Sequence, residues 1–142
     1  MFLRNAIRIL KLTEPPFAGR VRFLAVADRT VFETLHFGIL FVISFWSCTS
    51  SHSFAWLKRC LLKNDPEGLL EVLVVDTDGC PDLYEVQELL GKMHGNGEVV
   101  WILEGRIPGT ASFGSHPDEF DTLTKQLLAR RSASVGQAQI SS

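Results

Sequence analysis

The chain has 142 residues, 46% hydrophobic and 21% charged, enough for one compact core and too few for two ordinary domains. Fourteen Lys and Arg against sixteen Asp and Glu leave a formal net charge of -2, so composition gives no support to the phosphate neutralisation on which nucleic-acid binding rests. Three cysteines, at 48, 60 and 80, form an odd set without a Cys-x-x-Cys pair. That argues against a disulfide framework or a structural zinc site and for a reducing compartment.

Residues 1–13 carry Arg4, Arg8 and Lys11 and no acid. At about 100° per residue the three basic side chains share one helical face while Phe2, Leu3, Ala6, Ile9 and Leu10 take the other. This pattern suits a mitochondrial transit segment, a helix docking on a partner or lying peripherally on a membrane, or a terminal helix packed on its own domain. Glu14-Pro15-Pro16 ends it. Residues 1–21 therefore form a basic amphipathic extension, with Arg4, Arg8 and Lys11 as docking candidates.

Val21 to Ala27 reads as a strand, and Asp28 caps a short helix from Arg29 to about Leu35. The longest apolar run, Phe37 to Trp46, falls well short of the roughly 20 residues that cross a bilayer as a helix. Its β-branched and aromatic content is that of a strand buried on both faces, Ile39 to Phe45. A polar turn over Ser47 to Ser51 leads to a helix with Phe54, Leu57 and Leu61 on one face, ended by Asn64-Asp65-Pro66-Glu67-Gly68. Leu69 to Val75 is a second buried strand, and Pro81 opens a helix carrying Leu83, Val86, Leu89 and Leu90. The glycines of 91–97 fit neither a phosphate loop nor a dinucleotide fingerprint and read as a flexible connection. Val99 to Leu103 is a third core strand, Glu104-Gly105 a turn, and Ile107 to Phe113 a short edge strand. The last helix starts near Ser115 and Pro117 and buries Phe120, Leu123, Leu127 and Leu128, with Arg130 and Arg131 at its C-terminus. Residues 132–142 read as a small, polar tail without order of its own.

The order β-α-β-α-β-α-β-β-α implies a mixed sheet with helices on both faces. Together with Phe45-Trp46, the stretch Asp76-Thr77-Asp78-Gly79-Cys80-Pro81-Asp82-Leu83 and the string Trp101-Ile102-Leu103-Glu104-Gly105-Arg106, it resembles the thioredoxin family over roughly 22–131. The fold implied is α/β, a thioredoxin-like three-layer domain. The resemblance also locates a redox site, and there this sequence departs from the pattern. At the two cysteine positions stand Ser50 and Ser53, with Ser51 and His52 between them. The buried acid corresponds to Ser44, and the cis-proline position falls in Asn96-Gly97-Glu98. A hydroxyl cannot form a mixed disulfide, so dithiol exchange is not available at these serines. The local reading of the serines is a helix cap. A Ser-His nucleophile lacks any identifiable third group to orient His52.

The rival reading shifts the turn by two residues. Cys48-Thr49-Ser50-Ser51 is then a Cys-x-x-Ser motif like that of monothiol glutaredoxins, with Cys48 as nucleophile and glutathione as co-substrate. Cys60 and Cys80 read as small, partly buried residues. No metal site is expected, because His36, His94 and His116 supply no ligand pair of recognisable spacing. The expectation is a redox-inactive thioredoxin-like protein without cofactor that binds other protein subunits, as an accessory or structural part of a larger complex. Its placement is mitochondrial, on the strength of residues 1–13, with the cytoplasm as the alternative.

Overall fold

The computed structural model describes residues 17, 19–24, 35–43, 50–76, 96–112 and 115–140. Five strands and two helices lie within them: β1 (Val21–Leu24), β2 (Phe37–Ile43), α1 (Ser50–Asn64), β3 (Glu71–Asp76), β4 (Asn96–Leu103), β5 (Arg106–Ala111) and α2 (Pro117–Ile140). The helices expected at 29–35, Leu35 apart, and 81–90 and the segment 1–13 lie outside the described residues.

The sheet order is β1-β3-β2-β4-β5. β3 runs parallel to both β1 and β2, whereas β4 is antiparallel to β2 and to β5. This is the mixed sheet that alternating elements followed by a hairpin imply. β2 and β3 are central and rich in Val, Ile and Leu, as strands with two buried faces must be. On one face Ile39, Phe41, Val72, Val74, Val99 and Trp101 join Leu57 and Leu61 of α1 and Phe120 and Leu127 of α2 in a single core. On the other face Leu40, Val42, Leu73, Val75, Val100 and Ile102 are buried as completely. The sheet is therefore covered on both sides.

Two backbone details fix the strand ends. The link between β4 and β5 is Glu104-Gly105, with φ of 50° and 77°, and Leu103 pairs with Arg106 across it. Two consecutive positive φ values make the mirror-image turn that matches the twist of a hairpin. At the other end, β4 begins at Asn96 rather than Val99. Asn96 pairs with Ile43 and Glu98 with Val42, with an irregularity between them. Gly97 takes φ of 85° there, a value open to glycine at little cost. Asn96-Gly97-Glu98 is thus part of the sheet and not a stretch leading into it.

α2 also differs from expectation, running to Ile140 rather than stopping at Arg131. Residues 132–140 contain no proline, and extending an existing helix requires no new nucleus, so Ser, Ala and Gln continue it.

A buried ion pair joins the start of β1 to the end of α1. Arg20 Nη1 lies 2.8 Å from Asp65 Oδ2, and both side chains are at most 3% exposed. The Arg20 Nη2 donates to the Asp65 carbonyl. Asp65 Oδ1 and Oδ2 accept the Leu69 and Leu70 N–H groups, each at 2.9 Å. The Arg20 carbonyl accepts the Val72 N–H at 3.0 Å. Removing one partner strands the other charge in the interior, so Arg20→Met should lower unfolding free energy by about 3–5 kcal/mol. Arg22→Gln, which removes the exposed Arg22–Glu71 pair, should change it by less than about 1 kcal/mol. Urea denaturation of the two variants checks the contrast.

Candidate functional site

β2 delivers the chain at Ile43, and α1 opens at Ser50. Residues 44–49, with Ser44 and Cys48, lie outside the described residues, as do Arg4, Arg8 and Lys11. Ser50, Ser51, His52 and Ser53 form the first turn of α1, which contains no acid. Ser53 is fully buried and stands four, seven and eight residues before Leu57, Cys60 and Leu61, so it shares their inward face. Beside it Phe54 stacks on Phe17 at 4.8 Å and meets Phe41 edge-on at 5.5 Å. The start of β4 lies alongside the end of β2, where Asn96 opposes Ile43. Glu98 is buried at 3% exposure, in register with Val42 and so on the face away from α1 and α2. The structure thus brings the serine turn and the start of β4 to one end of the sheet.

The cysteine within the described residues is Cys60, and it belongs to a different cluster. Its thiol reaches Thr124 Oγ1 at 3.1 Å and the Phe120 carbonyl at 3.3 Å. The Trp101 indole N–H donates to the same Thr124 Oγ1 at 3.0 Å, and its ring meets Phe120 edge-on. Asn64 Nδ2 donates to the Cys60 carbonyl and to Asp121 Oδ1, while Asp121 Oδ2 pairs with the Lys63 ammonium. Burial pushes the Cys60 thiol up, and the Asp121 charge adds to it, while hydrogen bonds with Thr124 and Asn64 oppose it. Burial alone would raise the Asp121 carboxyl, but its bonds from Asn64 and Lys63 leave it below its ordinary value.

Cys60 is therefore a neutral thiol that fastens α1 to α2, and the reactive species in thiol chemistry is the thiolate. The hydrophobic pattern alone does not reveal this cluster. The available signal is Trp101 itself, since a buried indole N–H needs an acceptor, and Thr124, one turn after Phe120, supplies it. Among the described residues no three His, Cys, Asp or Glu side chains converge to hold a metal ion.

The architecture can be set beside solved structures. The desulfothioredoxin of Desulfovibrio vulgaris Hildenborough matches with a TM-score of 0.56 and 19% identity, over 76% of this chain and 97% of that one. Schistosoma mansoni thioredoxin matches at 0.53 and 13%, over 75% and 94%. A structure bearing on the thiol resolving mechanism of yeast mitochondrial 1-Cys peroxiredoxin matches at 0.54 and 15%, over 75% and 94%. The chain has a thioredoxin-like fold. At these identities the likeness is one of fold, and the thioredoxin-like sheet places the serine turn of α1 where β2 hands over to its helix. No protein-family model and no curated protein matches the sequence.

Because the folded state raises the Cys60 pKa, its contribution to stability is intact below the free thiol value of about 8.5 and is lost as pH rises through the folded value. Stability should fall with pH in the alkaline range more steeply for the native chain than for Cys60→Ala. Thr124→Val removes the acceptor for both Trp101 and Cys60 and should cost about 1–3 kcal/mol, read from the denaturation midpoint.

Proposed function

We propose that this chain is a redox-inactive thioredoxin-like module that acts by binding other protein subunits, as an accessory or structural part of a larger assembly. The observation that carries the reading is the first turn of α1, which bears serine at 50, 51 and 53, while Cys60 lies further along the helix, buried and held neutral. A fully packed sheet with a hydroxyl-bearing turn keeps the scaffold and leaves the serines without a sulfur to exchange. No cofactor is required for such a role. The basic, acid-free face of Arg4, Arg8 and Lys11 supports docking through residues 1–13 and a mitochondrial placement, with the cytoplasm as the alternative.

One observation favours a second reading. α1 starts at Ser50, two residues before the start implied by a turn that lasts to Ser51. Cys48 therefore stands two positions before the first residue of α1 in the sequence, and free backbone N–H groups at a helix N-terminus stabilise a thiolate beside them. In that case the Cys48 thiolate attacks a glutathione-containing disulfide, breaks the S–S bond, releases the other sulfur as thiolate and carries the mixed disulfide itself.

The two readings separate on the full chain. The expected result is a Cys48 pKa near the free value of about 8.5, no glutathione-dependent disulfide reduction, and no change in Cys48→Ser. A pKa well below that value, with turnover lost in Cys48→Ser, overturns the binding reading. Deleting residues 1–13 should abolish co-purification with the partner while thermal unfolding stays cooperative, and unchanged co-purification removes the docking role of that segment.

A further inference from the structure

The Glu104-Gly105 turn lies at the opposite end of the sheet from the serine turn, because β4 runs from Asn96, beside Ile43, to Leu103, beside Phe37. Between this turn and α2 the structure holds a half-open cleft of about 570 Å³. Its walls include Glu104 and Arg106 at the turn, Ile107 and Pro108 of β5, and Gln126 and Arg130 of α2. The volume is within the range that takes a small ligand or one residue.

The lining chemistry is selective. Neither Arg106 nor Arg130 joins an ion pair among the described residues, and both side chains are exposed. A guanidinium offers a planar fork that matches a carboxylate. Two cations against Glu104 leave one positive charge in excess, which fits a monoanion and opposes a run of acids or a dianionic phosphate. Ile107 and Pro108 place an apolar wall beside the arginines. A carboxylate attached directly beside an aliphatic side chain is the C-terminal residue of a polypeptide, whereas an internal Asp or Glu has no apolar group of its own to offer. β5 is an edge strand, and Pro108 removes a donor from it, which works against a peptide adding alongside as a further strand. End-on entry remains.

We propose that this cleft holds the C-terminal aliphatic residue of a partner polypeptide, with Arg106 and Arg130 pairing with its α-carboxylate. The proposal rests on the binding role above for the nature of the partner, but it does not use Cys48.

The test uses the full chain and fluorescence anisotropy with an N-terminally labelled Gly-Ser-Gly-Ser-Val peptide, as free acid and as C-terminal amide. The free acid should bind saturably, the amide at least about tenfold more weakly, and Arg106→Gln and Arg130→Gln should each lose about as much, as expected for charge-assisted bonds. Both substitutions are at exposed positions, and the denaturation midpoint verifies folding. Equal binding of acid and amide, full binding by both variants, or no saturable binding overturns the proposal. Isovalerate competing as well as the peptide would assign the cleft to free small acids and overturn the polypeptide assignment. Acid-selective binding together with Cys48-dependent turnover would overturn the redox-inactive reading alone, and absent binding without turnover would overturn the cleft alone.

Discussion

The Arg20–Asp65 pair is the constraint on which the sheet's order depends. It sits where the chain enters β1 and where α1 gives way to β3, and both charges are sealed from solvent. Burying two ions costs several kcal/mol apiece, so such a pair adds little net stability. Its force is selective: any strand arrangement that separates the partners leaves a bare charge inside. Asp65 takes the N–H groups of Leu69 and Leu70, and the Arg20 carbonyl takes that of Val72. One carboxylate and one guanidinium thus hold the parallel pairing of Val21 with Val72 at its first rung.

The core above that rung is largely apolar, with Ser53 buried on the inward face of α1 and one polar chain between the helices. Trp101, Thr124 and Cys60 connect β4, α2 and α1 through hydrogen bonds inside the layer where the two helices meet. Polar groups in that layer must meet one another or remain unsatisfied. They fix how the helices sit across the sheet, which an all-leucine contact would leave to volume alone. Here sulfur serves as a packing and hydrogen-bonding atom, a use compatible with a fold whose serine turn lacks thiols.

The fold was legible because its signals are local and repeated. Ile39 to Ile43 and Val72 to Val75 are continuous apolar runs with the composition of central strands, Glu104-Gly105 is a compact turn, and Phe54, Leu57 and Leu61 mark one helical face. What escaped is carried by single residues meeting across long separations. Nothing around Arg20 announces Asp65, 45 positions away, and Thr124 looks like an ordinary interruption of a leucine face until Trp101 is placed opposite it. Strand and helix ends were also missed for a physical reason: the pairing of Asn96 with Ile43 and the continuation of α2 past Arg131 come from cooperative backbone hydrogen bonding, to which side-chain pattern is nearly silent. At the candidate site the serines at 50 and 53 are legible directly, whereas the burial of Ser53 and the early start of α1 depend on packing and backbone hydrogen bonding that the local sequence does not carry.

The length of α2 has a mechanical consequence. Among the described side chains Leu128 is the last of α2 that packs on the core, and the helix runs on to Ile140, about 18 Å further at 1.5 Å per residue. A helix held at its base by Phe120, Thr124 and Leu127 points its far end in a direction the core sets. A small tilt at that base is multiplied along the length of the helix.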